Sequence, residues 1–209
     1  MTDRAINLRD WEVRALLAGA APKRWGADVI VRPIVPPPPC APGDNDDIEL
    51  LLVLGEIKAP YAVGDVLWGR EAWRTEMVTG AVYSGAAIRY AADDRLRHVE
   101  FAEYEAWEAA HATQRDGWRS STHMPRWACR VQRTVVKVEP LQVRDIRAAV
   151  IERMGFDVAA KLPLIPLPSC FDSVIDAVAD KLFSEQWDAD WPEYPYADSP
   201  WGWMYEVRA

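Results

Sequence analysis

No apolar run in this chain of 209 residues approaches the roughly 20 needed to span a bilayer. The longest, "IELLLVLGEI", is charged at both ends and predicts a buried strand. The opening "MTDRAINLRDWEVR" is charged throughout, which excludes the apolar core of a secretory leader, so a cytoplasmic protein is expected. Cysteine is scarce. Cys40, Cys129 and Cys170 stand far apart, providing neither a disulfide framework nor a CxxC metal clip, so all three read as reduced thiols, with Cys129 in the core. His98, His111 and His123 are equally scattered, so no structural metal and no cofactor are expected. Positive charge is in deficit too: 24 lysines and arginines against 32 carboxylates leave a net charge of -8. Binding that neutralises many phosphates needs a broad basic face, so a coat for duplex DNA is excluded and a local basic cleft is not.

Tryptophan, by contrast, is abundant, with eleven in the chain. Such rings fill small cores, and they also serve as platforms on which a base can stack. One stretch, "WRSSTHMPRWACRV" at residues 118–131, gathers two of them with three arginines, a histidine and a Met-Pro step.

A chain of this length fits one domain with embellishments, because separate cores usually need on the order of 100 residues each. "NLRDWEVRALLAG" has Leu8, Trp11, Ala15 and Ala18 at helical spacing, with Asn7 as N-cap and Gly19 as terminator. A proline-rich loop is predicted at 33–47, where "PPPPCAPGDNDD" rules out regular structure. "GDVLWGREAW" reads as a strand after a Gly64-Asp65 turn, with Asp65 capping it. Its side chains alternate, so Val66, Trp68 and Arg70 share one face and Leu67, Gly69 and Glu71 the other. "AVYSGAAIRYAAD" suggests two strands about a Ser-Gly turn, and "FAEYEAWEAAHATQ" a helical insertion near 100–114. "WACRVQRTVVKVEPLQV" predicts a long strand. "RDIRAAVIERMGF" then predicts a helix capped by Asp145 and ended by Gly155. "FDSVIDAVADKLFSEQW" is the clearest amphipathic helix, and "SPWGWMYEVRA" a closing strand with Trp201 and Trp203 on one core face. Strands and helices do not alternate strictly, so the class is α+β, a small sheet or barrel flanked by three or four helices.

Four stretches together, "VRALLAG", "GDVLWGREAW", "WRSSTHMPRWACRV" and "LFSEQWDADW...SPWGWMYEV", resemble the ASCH branch of the PUA-like superfamily. The resemblance is closest to phage and prophage proteins of the morphogenetic or hypothetical type. It implies a single domain over 1–209 built on a PUA-like β-barrel, with a cleft that binds a nucleotide or RNA. Some small relatives are amidohydrolases that deacetylate N4-acetylcytidine, using a Lys-Thr turn after the first helix and a glutamate at the end of a later one. A lysine of lowered pKa and a carboxylate that shuttles a proton would suit that chemistry. Here "AGAAPKRW" replaces the relatives' "AGRKTxTRR". Ala21 stands at the lysine position, Pro22 follows it, Arg24 replaces the second threonine, and Lys23 is displaced by two residues. The register of the later helix places Arg153 or Met154 nearest the expected carboxylate, with Glu152 as a substitute.

The leading expectation is therefore a protein that binds a nucleotide, a modified nucleoside or RNA through Lys23, Arg24, Glu71, Trp73, His123, Arg126 and Trp127. Arg126 and Arg130 present planar forks of donors suited to phosphate or base, or else to a salt bridge with one of the many carboxylates. Trp118 and Trp127 read as stacking platforms or as core. Arg70 and Glu71 point to opposite faces, so only one lines the cleft; Glu71, with Trp73, is the choice. The enzymatic alternative is hydrolysis of a modified nucleobase with Lys23 and Glu71 or Glu152 as the acting pair. A third is a phage assembly or host-interaction protein whose tryptophans and proline-rich loop meet a protein partner.

Overall fold

The computed structural model describes residues 2–18, 28–35, 45–79, 85–101, 104–112, 117–162 and 171–209. These are mixed α and β, with eight strands and five α-helices among them. No helix among the described residues is long and apolar enough to cross a membrane. The chain divides into two compact units, residues 1–20 with 66–133 and residues 21–65 with 134–209.

In the first unit, β1 (Asp3–Asn7) lies parallel to β3 (Val66–Arg70), in a register that sets Ile6 against Gly69 and Asn7 against Arg70. The opening helix therefore begins later than its apolar spacing suggests, because Asn7 belongs to a strand and caps nothing. Helix α1 runs Asp10–Ala18, and its start is held by Glu12, whose carboxylate accepts the Arg9 backbone N–H at 2.8 Å. That is the returning half of a capping box. An antiparallel sheet follows, β4 (Trp73–Thr79), β5 (Gly85–Tyr90) and β6 (Leu96–Glu100), in that order. Strand β6 has no apolar alternation and is mostly exposed, which is why its sequence does not announce it. Helix α3 occupies Tyr104–His111. Trp73, Ile88, Tyr90, Phe101, Met124 and Ala128 form the core of this unit.

In the second unit, β2 (Asp28–Pro33) and β7 (Val131–Gln142, which begins in the first unit) both pair antiparallel with β8 (Trp201–Arg208). The apolar run expected to be a buried strand is instead helix α2, Asn45–Val53. Short apolar runs do not distinguish the two states by periodicity, and three consecutive leucines, unbranched at Cβ, favour the helix. Gly55 closes it at φ +72°: the Gly55 N–H donates to the Leu52 carbonyl and the Glu56 N–H to the Leu51 carbonyl. This is a Schellman end that a residue with a Cβ adopts poorly. With α2 the helices number five, one more than the upper expectation.

Helix α4 is Ala148–Arg153, with Arg147 at its N-cap and no side-chain cap. Asp145, expected to cap it, lies in the preceding 3-10 turn, Val143–Asp145. Gly155 ends α4 at φ +104°, as its position predicts. Helix α5 spans Phe171–Asp190. Phe183 on it meets Phe156 and Tyr196 edge to face. Trp203 is buried and Trp201 half-buried. Asp65 closes the turn before β3, accepting the Ala62 N–H at 3.0 Å, with Gly64 at φ +91°. The body of the proline-rich loop, 36–44, lies outside the described residues, as do Cys40 and Cys170.

Candidate functional site

The strand alternation of β3 sends Leu67 and Gly69 inward, and Glu71 follows them in the same phase. At Gly69 a Cβ would stand 2.3 Å from Leu8 Cδ1 and 3.2 Å from Val131 Cβ, so Leu8 would have to shift to admit any other residue. Glu71 is completely buried. Its partner is Arg130, which donates from Nε at 2.8 Å and from Nη2 at 2.7 Å to the two carboxylate oxygens. The third donor of the fork, Nη1, reaches Asp93 Oδ2 at 2.9 Å, and the guanidinium carbon lies 4.0 Å from the centre of the Tyr90 ring. Tyr90 in turn donates its hydroxyl to the Ala128 carbonyl at 2.7 Å, and Arg97 donates to the Cys129 carbonyl at 2.7 Å. The end of the 118–131 stretch is thereby pinned to β5 and β6 by ions and rings.

Burial pushes the Glu71 carboxyl up from the usual range, against the opposing pull of Arg130. Arg130 loses solvation too, but its hydrogen bonds to Glu71 and Asp93 win and raise it above its ordinary value. A buried pair of this kind is held by mutual need, since either ion alone would face a large desolvation penalty. Burial also raises the Cys129 thiol.

Outside this anchor lies a second layer of cations and rings. The guanidinium carbons of Arg70 and Arg126 stand 5.8 and 5.7 Å from the centre of the Trp68 ring. Arg126 also pairs with Asp3 at 2.7 Å, and Arg70 donates to the Thr122 carbonyl at 3.1 Å. Arg70 Nε is buried and has no hydrogen-bond partner. The hydroxyls of Ser120 and Thr122 are 3.0 Å apart, and Thr122 Oγ1 is 3.2 Å from His123 Nδ1. Further along, the Arg119 backbone pairs in both directions with that of Trp73, at 2.7 and 3.2 Å. Arg119 lies over the Trp73 ring at 5.3 Å, and Arg74 over Trp118 at 4.9 Å.

The expected site residues fall as follows. Glu71 and Trp73 are fully buried, the first on Arg130 and the second in the core. His123 and Arg126 are exposed on the loop. Trp127 is half-buried, edge to face with Trp73 and Phe101. The Glu71 N–H meets Met124 Sδ at 3.3 Å, so the "HMPRW" segment sits against the β3–β4 junction. Glu152 is exposed on α4 in the second unit, and Lys23 and Arg24 lie outside the described residues. Sequence reasoning missed the Trp68–Arg70 pair, although its i, i+2 spacing already placed both on one face. It also missed Asp93 as the partner of Arg130, for which no local signal exists.

Charge is divided unevenly between the units. The first carries thirteen arginines, no lysine and twelve carboxylates, a formal +1, which leaves -9 for the second. The acidity of the whole chain therefore does not describe the unit that holds these rings. Among the described residues no group of three His, Cys, Asp or Glu side chains could hold a metal ion.

On the same unit, Glu76 accepts from Arg89 at 2.5 Å and from Arg74 at 2.9 Å, and these bonds hold its carboxyl below the usual range. A lowered carboxyl contributes stability above its ordinary value of 4.5, lost as pH falls through the lower folded-state value. Acid titration of stability should therefore show a smaller loss below pH 4.5 in Glu76→Gln than in the parent protein. Parallel acid limbs in urea titrations would show that the bridge contributes nothing.

Comparison with protein-family models, curated proteins and solved structures finds no match.

Proposed function

We propose that this chain binds a nucleotide or an RNA segment at the rim formed by Trp68, Arg70, His123 and Arg126, as a PUA-like protein of the ASCH branch and phage or prophage type. On this reading residues 1–209 form one domain and the strands build a PUA-like barrel. The supporting observation is the pair of guanidinium groups on the Trp68 ring, with a buried donor of Arg70 still unpaired. Guanidinium forks recognise phosphate and stack on flat rings, which is the combination a nucleotide requires. The hydroxyls of Ser120 and Thr122 and the exposed His123 imidazole lie alongside as further polar contacts. A near-neutral unit rich in arginine suits one short target better than a long duplex.

Binding without turnover is favoured over amidohydrolysis of N4-acetylcytidine because both Glu71 oxygens already hold Arg130. A carboxylate so engaged is poorly placed to carry a proton to a leaving amine. The test is titration of labelled single-stranded RNA and of cytidine nucleotides, followed by anisotropy, with chromatography for released cytidine when N4-acetylcytidine is offered. Arg126→Gln should weaken RNA binding roughly tenfold, as loss of one charge-assisted bond predicts, and reduce the salt slope by about one. Failure of the parent protein to bind any of these ligands would end the proposal, and release of cytidine would replace it with the hydrolase.

A further inference from the structure

We infer that Trp118 is a second stacking station on the first unit, and that the ligand is a single strand of several nucleotides spanning Trp118 and Trp68. The inference rests on the binding proposal and adds to it the length and form of the ligand.

Trp118 is 48% exposed, the one aromatic among the large hydrophobic side chains that stand out in solvent among the described residues. An exposed indole is ordinarily free to swing, yet here the backbone beside it is held and one cation lies on its ring. Gly117 precedes it at φ +92°, a backbone conformation that favours glycine. Arg119 follows it and is locked to Trp73 by two backbone hydrogen bonds. Arg74 lies over the ring at 4.9 Å, and is itself held by Glu76, which also holds Arg89 from the neighbouring strand. The guanidinium on its face restrains the ring, which lowers the further ordering cost of stacking a flat group on it.

The segment 118–126 runs from this ring to the other station. Trp118 with Arg74 stands at one end and Arg126 on Trp68 at the other, with Ser120, Thr122 and His123 between them. Cations beside each ring and hydroxyls between them match the alternation of base and phosphate in a single strand. An extended backbone from Trp68 to Arg74 reaches at most roughly 20 Å. A stacked strand advances roughly 3.4 Å per nucleotide, so no more than about six nucleotides cover that length of backbone. Stacking accepts any base, so the strand is selected for being single and flexible rather than for its sequence.

The test compares the parent protein and Trp118→Ala against cytidine monophosphate and against single-stranded RNA of two, four, six and eight nucleotides. Parent affinity should rise with length up to about six nucleotides. Trp118→Ala should leave the monophosphate unchanged and weaken the octamer by about fivefold or more, with Trp118→Phe restoring most of the loss. Because the ring is exposed, the substitution is not expected to unfold the unit, which a melting curve checks. Equal octamer affinity in parent and Trp118→Ala overturns the second station while the Trp68 site stands. Octamer affinity that is also unchanged by Arg126→Gln removes both. Loss of an oligosaccharide or a protein partner on Trp118→Ala, with RNA binding intact, would reassign the ring to that class of ligand.

Discussion

Replacing Arg130 with methionine is expected to cost about 3–5 kcal/mol of stability, the usual penalty for removing one partner of a buried ion pair. Glu71 is completely buried and would be left with its charge unmatched, and Asp93 would lose its 2.9 Å contact. The methionine also gives up the guanidinium contact with Tyr90. The double variant Arg130→Met/Glu71→Leu should recover much of the loss, because a buried pair replaced together by apolar groups is often neutral. Urea denaturation of the two single variants and the double gives the coupling directly. A single-variant cost below about 1 kcal/mol would mean that the pair does not anchor the 118–131 stretch, since exposed pairs contribute that little.

Trp73→Ala should be as damaging, about 3–5 kcal/mol, because the ring is wholly enclosed by the first unit's core. Trp73→Phe separates packing from polarity. The indole Nε1 is buried without a hydrogen-bond partner, so phenylalanine removes an unsatisfied donor along with some volume. Its cost should stay below about 1.5 kcal/mol, as for other conservative core exchanges. RNA affinity should be unchanged, since Trp73 contributes to the site by supporting Arg119 and Trp127 from beneath. A phenylalanine variant that is stable but fails to bind would show instead that the rim depends on the exact packing beneath it.

Long elements were legible in the sequence where one physical rule governs them. Helix α5 repeats its apolar positions and was expected from them, whereas the long strand expected from Trp127 begins only at Val131, after a 3-10 turn, and its pairing shifts register between Val135 and Lys137. Helix α2 was not expected, because a continuous apolar run carries no period and its end depends on Gly55, whose left-handed role shows only in coordinates. Strand β1 is a short charged segment whose partner, β3, lies some sixty positions along the chain, a pairing no window contains. The same limit applies to the site. The alternation along "VLWGR" placed Trp68 beside Arg70, but Arg130 meets Glu71 and Asp93 across 59 and 37 residues. The loop arginines were expected to meet phosphate or carboxylate, and both meet a carboxylate: Arg130 holds Glu71 in the core, whereas Arg126 pairs with Asp3 at the exposed rim beside Trp68. Lys23, which carries the hydrolase alternative together with Glu71 or Glu152, and Arg24, expected to bind the nucleotide, lie outside the described residues.

The absence of lysine from the first unit has a practical and a biological edge. Lys58, Lys137, Lys161 and Lys181 are exposed on the second unit, so the side chains to which amine-reactive dyes, biotin or a sensor surface couple lie there and none lies on the first. An arginine-selective dicarbonyl would reach both units, since Arg144, Arg147 and Arg208 are exposed on the second, but protection of the first unit's arginines by bound RNA could be read by mass spectrometry without any substitution. Inside a cell, enzymes that acetylate or ubiquitinate lysine would find no side-chain target on the unit that carries the rings.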